Sequence, residues 1–155
     1  MVRIGVVAGA LMMACSPALG AGVCETKAMV SAGDEITRAL GLLVENAPVV
    51  CGMLPDRQTQ CSVLCVTKYA MSSAQRRAAL VYVTGAAGLH INKLGEKKFT
   101  RVLYMDRDLA KQSQAMEMPA ATAASISRRA RADQMTAEGI IAAASAGFKT
   151  ISFKK

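Results

Sequence analysis

Val49-Val50-Cys51-Gly52-Met53-Leu54-Pro55-Asp56-Arg57-Gln58-Thr59-Gln60-Cys61-Ser62-Val63-Leu64 is the stretch on which the fold depends. Two largely apolar runs flank Pro55-Asp56-Arg57, a turn-like tripeptide with proline in its preferred early position. Folding the stretch as a hairpin about Asp56 sets Cys51 opposite Cys61. Cross-strand neighbours hold their Cβ atoms about 4.5–5.5 Å apart, close to disulfide range. Cys24 and Cys65 are then left to form a second bridge, from the start of the first helix to the far end of the hairpin. Four cysteines allow three pairings, and local geometry selects this one. Each bridge would stabilise the fold by about 2–4 kcal/mol through restriction of the unfolded chain. A four-thiolate zinc site is the competing reading. Only Cys61 and Cys65 are closely spaced, with no second close pair to match, so no metal site is expected.

Upstream of the hairpin, Met29, Ile36, Leu40, Leu43 and Ala47 recur at helical spacing, predicting a helix over Glu25–Asn46. Gly33-Asp34 is a candidate interruption, and Pro48 a stop. Downstream, Ser72-Ser73-Ala74-Gln75 matches a capping box and predicts a helix from Ser73 to Ala87, with Gly88 as its exit. Leu89–Lys98 reads as a connector with turn character at Gly95. Phe99–Met105 alternates and is β-branched and aromatic enough for a strand. Asp106-Arg107-Asp108 begins a helix expected to run to Met116, and Pro119 starts another over the alanine-rich Ala120–Ala132. Thr136 caps a last helix ending at Gly147, and Lys149–Phe153 closes the chain as a strand. The expected architecture is α+β: one small antiparallel sheet of about four short strands, with helices packed on one face and two disulfides as braces.

The amino terminus supplies the compartment. Arg3 is followed by the apolar run Ile4–Ala14 and the small residues Ser16-Pro17-Ala18-Leu19-Gly20-Ala21, the order of a secretory signal peptide. Residues 1–21 are read as the leader and residues 22–155 as one α+β domain. The run is shorter than the roughly 20 apolar residues that span a bilayer. A lipoprotein signal ending at Cys15 is the alternative, although Leu11-Met12-Met13-Ala14-Cys15 fits a lipobox loosely. Export places the remaining cysteines where disulfides persist. With no later apolar run of membrane length, the mature chain is expected to be soluble, periplasmic or secreted.

Charge is distributed unevenly. The chain carries 19 Lys and Arg against 11 Asp and Glu, a formal net charge of +8. Residues before 93 nearly balance, whereas residues 93–155 hold twelve bases against six acids. Arg101, Arg128, Arg129, Arg131, Lys154 and Lys155 are the candidates for contact with an acidic protein partner in the cell envelope. An anionic polymer (nucleic acid, a lipid surface or cell wall) is the alternative partner, distinguished by steep salt dependence.

Residues that would carry catalysis are sparse. His90 is the single histidine, with no nucleophile elbow to serve. Asp106-x-Asp108 suits helix capping as well as it suits acid–base work. No HExxH, EF-hand spacing or phosphate loop is present in the sequence. The reading is an exported, non-enzymatic binding protein without cofactor, an accessory or inhibitor of an envelope assembly; a small hydrolase ranks last.

Overall fold

The computed structural model describes residues 21–41 and 48–153. Residues 1–20 of the expected leader, Cys15 among them, lie outside these, as do Leu43, Ala47, Lys154 and Lys155.

Two helices open the fold, α1 (Ala21–Cys24) and α2 (Lys27–Gly41). Their junction is Glu25-Thr26, where Thr26 Oγ1 accepts the Met29 N–H at 3.3 Å. The helix therefore breaks at Thr26 and not at Gly33-Asp34, which lie inside α2. Met29, Ile36 and Leu40 form its buried stripe.

The hairpin follows as β1 (Val50–Arg57) and β2 (Gln60–Val66). Its register differs from the one read from Pro55: Cys51 pairs with Cys65, Pro55 with Cys61 and Arg57 with Gln60. The turn thus falls at Gln58-Thr59, two residues later, and Pro55 occupies an edge strand, where its missing N–H costs no ladder bond. The slip exchanges the disulfide partners. The bridges are Cys51–Cys65 across the hairpin and Cys24–Cys61 from α1 to β2, in place of Cys51–Cys61 and Cys24–Cys65. Such bridges persist in an oxidising, extracytoplasmic compartment.

Ser72 caps α3 (Ser73–Leu94) through the complete capping box: its hydroxyl accepts the Gln75 N–H, and the Gln75 side chain accepts the Ser72 N–H. This helix passes straight through Gly88 and ends at Gly95, whose φ of +112° is readily open to glycine. Gly88 serves helix crossing instead of exit. A Cβ there would lie 2.7 Å from Ser127 Cβ on α5 (Ala120–Arg131). The close approach also accounts for the alanines: Ala120, Ala123 and Ala124 are buried, so α5 packs through small residues at short range.

The full length of α3, 22 residues or about 33 Å, returns the chain to the start of β3 (Phe99–Met105), which lies parallel to β2. Parallel neighbours need such a crossover. After β3 come the short α4 (Arg107–Lys111) and β4 (Gln114–Pro119), then α5, α6 (Ala137–Gly147) and β5 (Lys149–Ser152). The sheet has five strands in the order β1-β2-β3-β4-β5, antiparallel except at β2–β3. The four-stranded, wholly antiparallel expectation is thus corrected to a five-stranded mixed sheet. Gln114–Pro119 is a strand where a helix was expected to continue, because Ser113 at φ +57° ends α4 and β4 pairs with strands on both sides. Val63, Val102, Tyr104 and Met118 face the helices and meet Ile36, Leu40, Val83 and Ile91 in the core.

A candidate anion-binding cleft

The extension of α3 beyond Gly88 decides which cations share a surface. Its last turns carry Leu89, Asn92 and Lys93 alongside Arg128, Arg131 and Ala132 at the end of α5. Together they line a hollow of about 740 Å³, within the roughly 300–1,000 Å³ range of ligand sites. Leu89 and Ala132 provide apolar wall, and Lys93, Arg128 and Arg131 provide charge. The last turn of a helix also suits cations, because the peptide dipoles leave it partially negative.

Arg128 is held in position. Its Nη1 donates to Asn92 Oδ1 at 2.7 Å, and Asn92 Nδ2 donates in turn to the Ala124 carbonyl at 3.0 Å. Glu96 Oε1 approaches Arg128 Nη1 at 3.6 Å across an exposed gap. An exposed pair at that distance contributes little, about 0–1 kcal/mol, so Glu96 moderates the positive charge without neutralising the cleft. The hollow has the components for holding a carboxylate or phosphate next to an apolar group. Two guanidinium groups supply forked donors and the ammonium a point charge.

Of the other expected contact residues, Arg129 and Arg101 are placed elsewhere, and Lys154 and Lys155 lie outside the described residues. Arg129 lines a separate hollow between α5 and α6, with Thr122, Ser125, Ile126 and Ala143. Arg101 stands on the sheet face turned away from the helices. There it donates to Glu117 Oε1 at 2.5 Å, while its Nε lies 3.2 Å from Asp56 Oδ2, near but off hydrogen-bond alignment. Thr100 and Ser62 also donate to the Asp56 carboxylate. A β-bulge between the Cys61–Phe99 and Val63–Val102 pairs lets consecutive residues Thr100 and Arg101 both reach Asp56. The Thr100 hydroxyl is the main cause that holds the Asp56 carboxyl below its ordinary pKa, with Ser62 and Arg101 adding to it against partial burial. The bond to Glu117 raises the Arg101 pKa further. Arg101 is therefore committed within the protein.

Residues weighed for catalysis are likewise engaged. Asp106 is fully buried and caps α4 by accepting the Leu109 N–H at 3.1 Å. It also takes a two-pronged pair from Arg76 at 2.7 and 2.9 Å and the Tyr104 hydroxyl at 3.1 Å. Burial alone pushes the Asp106 carboxyl up, but Arg76, the Leu109 N–H and Tyr104 outweigh it and hold the group below its ordinary value. Tyr104 is raised, by burial first and then by the Asp106 charge. His90 lies on the packed side of α3, not in a connector, with Nε2 3.5 Å from Glu35 Oε1. Burial lowers its pKa despite Glu35. Among the described residues no three His, Cys, Asp or Glu side chains converge where a metal ion would be held. No helix among them is long and apolar enough to cross a membrane.

Lys93, Asn92 and Leu89 are the lining residues that sequence reasoning missed, because they were assigned to a connector. The signal was available: Leu89 and Lys93 stand four apart, as do Arg128 and Ala132, and each pair shares a helix face once both helices run their full length. No protein-family model, curated protein or solved structure matches the chain. Fold and cleft together define a class: a disulfide-braced α+β domain with a cationic hollow between two helices.

Proposed function

We propose that this is an exported, non-enzymatic binding protein of the bacterial cell envelope that holds an acidic protein partner in the cleft between α3 and α5. The observation that carries the reading is the grouping of Lys93, Arg128 and Arg131 around one hollow with apolar walls. An acidic side chain or chain terminus next to an apolar residue matches those walls in charge and polarity. The apolar contact is what separates a protein partner from a polyanion, since a bare phosphate chain would leave Leu89 and Ala132 unused.

The test is capture from the producing cell's own envelope by the tagged protein after mild crosslinking, with washes in stepped salt. A single stoichiometric protein, retained at high salt and lost with the Arg128→Glu/Arg131→Glu variant, supports the reading. Nucleic acid, lipid or wall fragments released by modest salt would replace it with electrostatic polymer binding. Capture unchanged in the double variant would remove the cleft from the mechanism.

A further inference from the structure

Helix α6 is apolar yet uncovered among the described residues. Glu138 is the one ionisable residue in Ala137–Gly147, but only Ala144 of the helix is buried and Ile141 is 42% exposed. A helix apolar on all sides is ordinarily enclosed. Beside it, a groove of about 490 Å³ runs between α5 and α6. Its α5 wall is Thr122, Ser125, Ile126 and Arg129, spaced so that they share one helix face. Its α6 wall is Ala143, Ala146 and Gly147. The helices nearly touch at one end, where a Cβ on Gly147 would lie 3.4 Å from Thr122 Cγ2. Arg129 stands at the other. Its neighbour Arg128 reaches Asn92 and Glu96, whereas Arg129 is exposed and meets no carboxylate among the described residues.

We propose that this groove binds a monomeric fatty acid, with the acyl chain laid along α5 and the carboxylate on Arg129. Three observations select that occupant. First, one guanidinium offers a single positive charge and a forked pair of donors, which match a monoanionic carboxylate. A phosphate monoester carries nearly two charges and is better served by the three cations of the α3–α5 cleft. Second, apart from Arg129 only Thr122 and Ser125 bring polar side chains to the walls. An extended peptide would leave most of its N–H and C=O groups without partners there, whereas an acyl chain has none to satisfy. Third, a helix of matching length, about 10 Å long and 10 Å across, displaces about 800 Å³, more than the groove holds. The inference stands on α5 and α6 alone and does not depend on the acidic-partner reading.

Size sets the chain length and the expected strength. From Thr122 to Arg129 the helix rises about 10 Å, the extent of a chain of about eight to ten carbons. The volume agrees. A cavity of about 150 Å³ takes one benzene ring, so about 490 Å³ holds at most about 20 carbons, part of the space being open to water. Decanoate is therefore the fitting probe. With one side of the chain left wet and the ion pair exposed, a Kd of about 0.1–1 mM is expected.

Titration of the disulfide-bonded protein with decanoate, followed through residue-resolved amide shifts by NMR, tests the proposal. Saturable shifts are expected at Ser125, Arg129, Ala143 and Ala146 and not at Leu89 or Lys93. Arg129→Gln should weaken binding about fivefold, the upper range for an exposed charge pair. Ala121→Glu places an acid on the groove at an exposed site in the first turn of α5, where an acid suits the helix, and should abolish binding without unfolding. Decyltrimethylammonium, the same chain with the opposite charge, should not bind. Arg128→Ala/Arg131→Ala should keep decanoate affinity within about twofold, since screening blunts charges outside the groove. The proposal is overturned by an absence of saturable shifts, by equal binding of decyltrimethylammonium, or by an affinity indifferent to both Arg129→Gln and Ala121→Glu. Shifts centred on Leu89 and Lys93 and lost in Arg128→Ala/Arg131→Ala would overturn it by moving the ligand to the cleft. Binding to phosphatidylglycerol vesicles without binding of monomeric decanoate would overturn it in favour of a membrane surface.

Discussion

Arg101 and Arg128 belong to the same basic half of the chain, yet their surroundings give them opposite properties. Arg101 contacts two carboxylates, and one of these also accepts from Thr100 and Ser62. Arg128 is oriented by a neutral amide, with one acid at the margin of contact, and opens onto a hollow that it shares with Arg131 and Lys93. Arg76 resembles Arg101 in an extreme form, because its partner Asp106 is fully buried. A count of basic residues treats all of these alike. What separates them is whether the folded chain supplies the counter-charge: where it does, the arginine stabilises the fold, and where it does not, the arginine is available to another molecule.

The largest effect should come from the most saturated site. Asp106→Ala removes the α4 cap and leaves the Tyr104 hydroxyl and the Arg76 guanidinium without their acceptor. Breaking a buried pair costs about 3–5 kcal/mol. Arg76 keeps 28% of its side-chain exposure and water relieves part of that loss, so about 3 kcal/mol is expected, read as a lowered denaturant midpoint. The same site should respond to acid. The Asp106 carboxyl is depressed in the folded protein, so the folded state binds fewer protons than the unfolded one, whose value is about 3.9. Its stabilising contribution is therefore complete above about pH 5 and is lost as pH falls through about 4 to the folded value. Asp106→Asn should flatten that limb of the stability curve, and an unchanged acid limb would show that Arg76–Asp106 is not what sets it.

An intermediate effect is expected at Asp56. Asp56→Asn keeps the shape but removes the charge that Arg101 and two hydroxyls share, at a half-exposed site. A loss of about 1 kcal/mol follows from charge-assisted bonds open to solvent. Glu117→Gln should behave similarly, and the two changes combined should depart from additivity because both act through Arg101. Additive losses would show that Arg101 does not couple them.

Much of this contrast was hidden in the sequence, for definite reasons. Elements with local signals were legible: the Ser72 cap with Gln75, the strand Phe99–Met105, the Thr136 cap and the terminal strand at Lys149 all stand where read. The four disulfide-bonded cysteines were identified and their partners were not. Pro55-Asp56-Arg57 is a stronger turn signal than Gln58-Thr59, and a displacement of two residues keeps every side chain on its face while exchanging Cys61 for Cys65. Gly88 read as an exit because its purpose, room for α5, is a long-range contact. That one misreading removed the crossover, hence the parallel pair, and also Lys93 from the cleft. Met116-Glu117-Met118 favours a helix by propensity and becomes β4 only because β3 and β5 flank it. Ion-pair partners from Asp56 to Arg101 span 45 residues, and composition carries no information at that range.

The smallest effect on stability should accompany the largest effect on binding. Arg128→Ala/Arg131→Ala removes two exposed side chains whose charges the fold does not use. Stability should change by less than about 0.5 kcal/mol, the usual limit for surface substitutions, because relief of repulsion between neighbouring cations offsets the lost contacts of Arg128 with Asn92 and Glu96. Asn92→Ala refines the point. It frees Arg128 from its tether without removing charge, and leaves the Ala124 carbonyl with its helical bond. Capture of an acidic partner should weaken less than in the double variant, with association left largely unaffected and dissociation faster, because long-range steering depends on charge and residence on orientation. A double variant that lost several kcal/mol would place Arg128 and Arg131 with Arg101 among the structural arginines, and the contrast between the two regions would disappear.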